Sequence, residues 1–134
     1  MTTSTREQLV TIRLLATVVL ATVLVVQDST AMVTIHVTNK LSSKTLIVHC
    51  GSREDDLRAH TVEIDDDFEW SFEPNVFFTT LFSCNLRVEG RRLSFVAYDQ
   101  GSDGAKYHYW VVYDRGLYGK RSSTGGERLM GKWN

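Results

Sequence analysis

"FFTTLFSCNLRV", residues 77–88, is the stretch whose reading decides the fold. Phe78, Phe82, Cys84, Leu86 and Val88 fall on one side when every second position is taken, with Thr80 among them. Side chains two apart share a face of a β-strand. The stretch therefore predicts a strand with one face turned into a core. The same period runs on either side of it. "DFEWSF" (67–72) places Phe68, Trp70 and Phe72 together, with Glu69 and Ser71 opposite. "EGRR" (89–92) reads as a tight turn, and "LSFVAY" (93–98) turns Leu93, Phe95 and Ala97 inward.

Further out, "VTIHVT" (33–38) sets Val33, Ile35 and Val37 against Thr34, His36 and Thr38. "TLIVHC" (45–50), "HTVEI" (60–64, with Val62 and Ile64 inward), "YHYWVVYD" (107–114) and "RGLYGK" (115–120) complete the strand candidates. Polar turn clusters separate them: "NKLSSK", "GSREDD", Pro74–Asn75 and the Gly-rich "DQGSDGAK" (99–106). Seven to eight short strands at about ten-residue spacing predict an all-β chain, a small antiparallel β-sandwich. Its expected core aromatics are Trp70, Phe72, Phe78, Phe82, Phe95 and Trp110, because such side chains fit a pleated, half-buried surface. Residues 121–134, Gly/Ser-rich and without periodicity, are expected to form a flexible tail.

The N-terminus predicts the compartment. A polar start carrying Arg6 and Arg13 precedes the unbroken apolar run "LLATVVLATVLVV" (14–26), then Ser29 and Ala31. That order is a cleaved secretory signal peptide over 1–31, with Met32 first in the mature chain. The apolar run is too short for a spanning helix, which needs roughly 20 residues, so no stable membrane insertion is expected. The domain would run over 32–120, and the product would be extracellular. A net charge of −1 lacks the basic excess of a nucleic-acid binder.

"VHCGSREDD" (48–56) sets a histidine beside a cysteine ahead of three acids. A thiol nucleophile is disfavoured: His49 and Cys50 point to opposite faces of a strand, and an oxidising compartment does not keep thiols free. No Gly-x-Ser-x-Gly motif offers another nucleophile. A metal site needs converging ligands, yet His36, His60 and His108 fall one to a segment. Glu54, Asp55 and Asp56 joining Asp65, Asp66 and Asp67 would suit calcium, but neither run has EF-hand spacing, and both read as solvated loop charge. No catalytic residue, metal or cofactor is expected. The chain has two cysteines, Cys50 and Cys84, both in the mature part. A disulfide between them would stabilise the fold by roughly 4 kcal/mol in the chain-entropy picture.

"VTIHVTNKL" (33–41), "LIVHCGSREDDL" (46–57) and "FEWSFEPNVFFTTLFSC" (68–84) together resemble the plant self-incompatibility S1 proteins, the S-protein homologues. The likeness continues more weakly through "FVAYD" and "YHYWVVYDRGLY" and covers Val33 to Lys120. The resemblance implies a small secreted β-sandwich of flowering plants without enzymatic activity, one branch of which is a stigma ligand recognised by pollen. Two departures stand out. The family's later cysteine pair has no counterpart, its positions falling near His108 and Tyr118, and its joint loss supports pairing Cys50 with Cys84. A glycine common after Asp-Asp-Leu is replaced by Arg58.

The expected function is a monomeric, non-enzymatic signalling ligand for a cell-surface receptor. Recognition is expected on loops that a rigid scaffold holds out. These are Ser52, Arg53, Glu54, Asp55 and Asp56, then Asp65, Asp66 and Asp67, then Gln100, Ser102, Asp103 and Lys106. The alternative is a cell-wall carbohydrate-binding module presenting Tyr107, Tyr109 and Tyr113.

Overall fold

The computed structural model describes residues 32–134; the signal peptide expected over 1–31 lies outside the described residues. Nine strands follow in order: β1 (Val33–Asn39), β2 (Leu46–Gly51), β3 (Asp56–Val62), β4 (Asp67–Phe72), β5 (Leu81–Val88), β6 (Arg91–Asp99), β7 (Tyr109–Tyr113), β8 (Gly116–Lys120) and β9 (Arg128–Gly131). They form two sheets, β4-β1-β7-β8-β9 and β3-β2-β5-β6. The all-β sandwich is the expected one, with one strand more than the upper count. Pairing is antiparallel except between β1 and β7, which run parallel.

Strand β5 alternates exposed and buried at all eight positions, so Phe82, Cys84, Leu86 and Val88 face the core. Across from them lie Ile35 and Val37 of β1, Trp70 of β4 and Trp110 and Val112 of β7, all buried. Phe72 and Phe95 are half-buried at the margin of this core, with ring centroids 4.5 Å from Phe82 and 4.8 Å from Trp110. Cys50 and Cys84 are directly opposite on β2 and β5, and their disulfide closes a separation of 34 residues inside the core.

Phe78 corrects the sequence reading. It is 70% exposed and takes φ +57°. The period-two pattern of β5 does not reach it because the strand starts at Leu81. A left-handed residue ahead of a strand breaks the alternation and turns its side chain off the core face. Ile64, 41% exposed, departs for a related reason: β3 ends at Val62 and the chain turns through Asp65 at φ +67°.

The C-terminal residues, expected as a flexible tail, are held instead. β9 pairs with β8, the Trp133 indole N–H donates to the Tyr113 carbonyl at 3.1 Å, and the Asn134 N–H donates to the Arg92 carbonyl at 3.0 Å. Gly116 of β8 lies so close to β9 that a Cβ there would sit 2.5 Å from the Gly131 carbonyl oxygen. Small residues and one large indole, rather than an alternating pattern, seat this strand.

One buried polar residue ties the loops at the β1 end of the sandwich. Asn39 is fully buried. Its side-chain amide donates to the carbonyls of Val62 and Lys44, and its Oδ1 accepts from the Leu41 N–H. The Asn-x-Leu segment thus fixes the start of the β1–β2 connection.

Candidate recognition surface

Strand directions sort the loops into two groups. The β1–β2, β3–β4, β5–β6 and β7–β8 connections share one end, and the β2–β3, β4–β5, β6–β7 and β8–β9 connections share the other. Asp65, Asp66 and Asp67 therefore lie at the opposite end from the Ser52–Asp56 and Gln100–Lys106 loops. The three loops singled out from sequence do not form one surface.

Between those last two loops stands a connection that sequence reasoning placed partly in the core. Residues 73–80 carry Val76, Phe77 and Phe78, exposed by 81%, 80% and 70%. Asn75 organises the loop. Its Oδ1 accepts from the N–H groups of Phe77 and Thr79, its side-chain amide donates to Thr79 Oγ1, and its own N–H donates to Thr80 Oγ1 at 2.9 Å. Gln100 clamps it from the β6–β7 loop. The Gln100 side chain donates to the Asn75 carbonyl and accepts from the Thr80 N–H, and its backbone N–H donates to the Thr80 carbonyl. Gly101 sits against the Phe78 carbonyl and takes φ +85°, a left-handed backbone that suits glycine. Three apolar side chains are thus held outward by a hydrogen-bonded frame, with a non-glycine residue in left-handed backbone at its tip. Such conformations cost about 1–3 kcal/mol each and gather at functional sites.

The β2–β3 turn borders the same loop. Ser52, Arg53 and Glu54 line a shallow cavity of about 270 Å³ together with Asn75, Thr79, Thr80 and Leu81. The turn is closed by the Ser52 N–H to the Asp55 carbonyl and the Asp55 N–H to Ser52 Oγ. Asp56 accepts from His49 Nε2 at 2.6 Å and from the Arg58 N–H at 2.9 Å. The His49 hydrogen bond, then that of Arg58, holds the Asp56 carboxyl below the usual range. His49 is thus an outward partner of a loop acid, while its neighbour Cys50 is committed to the inward disulfide. Ser102 and the backbone of Asp103–Lys106, a single 3-10 turn, belong to the neighbouring loop.

The tyrosines expected as a carbohydrate platform do not make one. Tyr107 is buried against Trp110. Tyr109 is half-buried with its ring stacked on His36 at 4.6 Å. Tyr113, also half-buried, donates its hydroxyl to Glu127 and meets Tyr118 edge-on. A three-residue grouping was missed for the opposite reason: His36, Asp67 and Glu69 come from separate segments, and only the β1–β4 register brings them together. No described helix is long and apolar enough to cross a membrane.

A sequence profile described as plant self-incompatibility protein S1 matches residues 34–133. Among curated proteins, S-protein homolog 5 of Arabidopsis thaliana is 35% identical over 66 residues, 49% of this chain and 52% of that protein. Self-incompatibility protein S1 of Papaver rhoeas is 31% identical over 83 residues, 58% of this chain and 60% of that protein. S-protein homolog 21 of Arabidopsis thaliana is 34% identical over 101 residues, 67% of this chain and 74% of that protein. The chain spans less than two thirds of the length of the first two. No solved structure matches it.

Proposed function

This chain belongs to the plant self-incompatibility protein S1 family, and from that premise we propose that it is a secreted, non-enzymatic recognition protein that binds a protein receptor on a target cell. The observation that carries the reading is the outward loop 73–80. Aromatic side chains are enriched in protein interfaces, and here Phe77 and Phe78 are presented by a hydrogen-bonded frame. Preorganisation removes part of the ordering cost of association. The polar turn Ser52–Asp56 on one side and Gln100–Lys106 on the other supply the rim that protein interfaces place around an apolar centre. Residues 1–31 would act as the export signal, as their charge and hydropathy order suggests.

The test pairs Val76→Ser with Phe77→Ser in one variant and Asp65→Asn with Asp66→Asn in another. Both should keep the parent's circular dichroism and melting temperature, because the changed side chains lie on exposed loops. The first should lose saturable binding to plasma-membrane preparations of responsive plant cells, and the second should keep it. Loss confined to the second variant, at the far end of the sandwich, would move recognition away from loop 73–80.

A further inference from the structure

On the outer face of the β4-β1-β7 sheet, His36 lies between two carboxylates. Its Nδ1 is 2.8 Å from Asp67 Oδ2 and 3.1 Å from Glu69 Oε2. Register explains the meeting. His36 pairs directly with Glu69 across the β1–β4 ladder, Thr38 pairs with Asp67 two residues along, and alternate residues share the outer face. One nitrogen and two carboxylate oxygens lie within 4.8 Å of one another.

We propose that His36, Asp67 and Glu69 form a binding site for a borderline transition-metal dication of the Zn²⁺ class. The donor set is the first reason: one imidazole with two carboxylates suits zinc better than the all-oxygen cages of calcium or magnesium. The spacing is the second. With metal–ligand bonds of about 2.0–2.1 Å, two ligands of a tetrahedron stand about 3.3 Å apart. The two nitrogen–oxygen distances fall short of that by a few tenths of an ångström, which a small side-chain rotation restores. The third reason is orientation from outside the set. The Tyr109 ring stacks on His36 at an interplanar angle of 2°, which fixes the imidazole plane. The Thr38 hydroxyl donates to Asp67 Oδ1 at 3.3 Å, on the oxygen that does not face His36. Partners that orient ligands in this way are half of a metal site. Nδ1 is the only donor among the three facing groups, so in the metal-free protein it carries the proton that both carboxylates share. The metal takes that proton's place at Nδ1, the imidazole binds as its neutral Nε2–H tautomer, the ring's single proton having moved from Nδ1 to Nε2 through solvent, and water completes the fourth position.

Isothermal titration of the purified protein with ZnCl₂, in a buffer without competing ligands, should give one saturable equivalent per chain. Mg²⁺ should give none. Co²⁺ should develop the visible absorption of a tetrahedral site. His36→Ala and Glu69→Gln should each abolish the equivalent. Thr38→Val should weaken it roughly 10-fold, as loss of an orienting partner does. His49→Ala, which removes the other histidine–carboxylate pair, should leave it intact. Glu69→Gln retains the His36–Tyr109 stack and so guards against a folding defect in His36→Ala. The assignment is overturned if Zn²⁺ shows no saturable binding, if both ligand variants bind like the parent, or if His49→Ala removes the binding.

Discussion

Replacing Arg58 by glycine should stabilise the protein. Between His49 paired with Ala59 and Gly51 paired with Asp56, strand β3 carries two residues, Leu57 and Arg58, opposite one of β2. The second of them, Arg58, takes φ +64°. A β-bulge with a left-handed residue suits glycine, and here an arginine occupies it. A residue with a Cβ in that conformation costs about 1–2 kcal/mol, while glycine loses back about 0.5–1 kcal/mol through the freedom of its unfolded chain. The net gain for Arg58→Gly is about 0.5–1 kcal/mol, or about 2–8 °C in melting temperature for a domain of this size. Arg58→Ala is the control. It removes the same exposed side chain but keeps the Cβ and the strain, while the backbone N–H that Asp56 accepts survives in both variants. Thermal and urea unfolding with the disulfide intact would rank them. If Arg58→Gly melts no higher than Arg58→Ala, the bulge stores no strain and the argument fails.

Cys50→Ser and Cys84→Ser should each lower stability by about 2–5 kcal/mol, with the double variant no worse than either single; additive losses in urea unfolding would contradict the bridge. Asn39→Ala should cost about 2–4 kcal/mol, because two buried backbone groups and the part-buried Lys44 carbonyl lose their partner; a urea midpoint equal to the parent's would show that water replaces the amide. Asn75→Ala should leave the melting temperature within a few degrees yet raise the hydrogen-exchange rates of the Phe77 and Thr79 amides, and unchanged rates would deny Asn75 its organising role. The carboxyls of Asp56, Glu89 and Asp114 are held below their usual range, chiefly by hydrogen bonds from His49, Lys44 and Ser42. Their contribution is complete above the ordinary carboxylate range and is lost as pH falls through and below it. The urea midpoint should thus hold from neutrality to about pH 5 and decline below about pH 4. His49→Ala should make that decline shallower, and an equally steep one would take Asp56 out of the account.

Strict alternation made β5, β1 and β4 legible, since a sandwich strand with one solvated face must repeat every two residues. The disulfide was legible from two facts of composition and the same alternation. What escaped detection lacked a period. Phe78 looked like a core aromatic because it continues the β5 pattern backwards, and nothing in its own residue type announces a left-handed backbone. That conformation depends on Asn75 and on Gln100, a residue from another loop. β9 escaped because its Leu129 and Met130 both stay partly exposed, so no inward face repeats along it. The recognition loops were chosen by charge, yet the topology sends Asp65–Asp67 to the far end. The His36 grouping depended on a register between strands about thirty residues apart, which no local spacing encodes.

The disulfide joins neighbouring strands of a single sheet, and both sulfurs face inward at the seam between the layers. It therefore staples one layer without bolting the two together. A small reductant reaches the bridge only when the layers part, so the rate of reduction under native conditions is a clock for that opening. When the sandwich recloses faster than a reductant attacks, the bridge's lifetime follows the small population of opened molecules, so a change that loosens the layers shortens it in proportion.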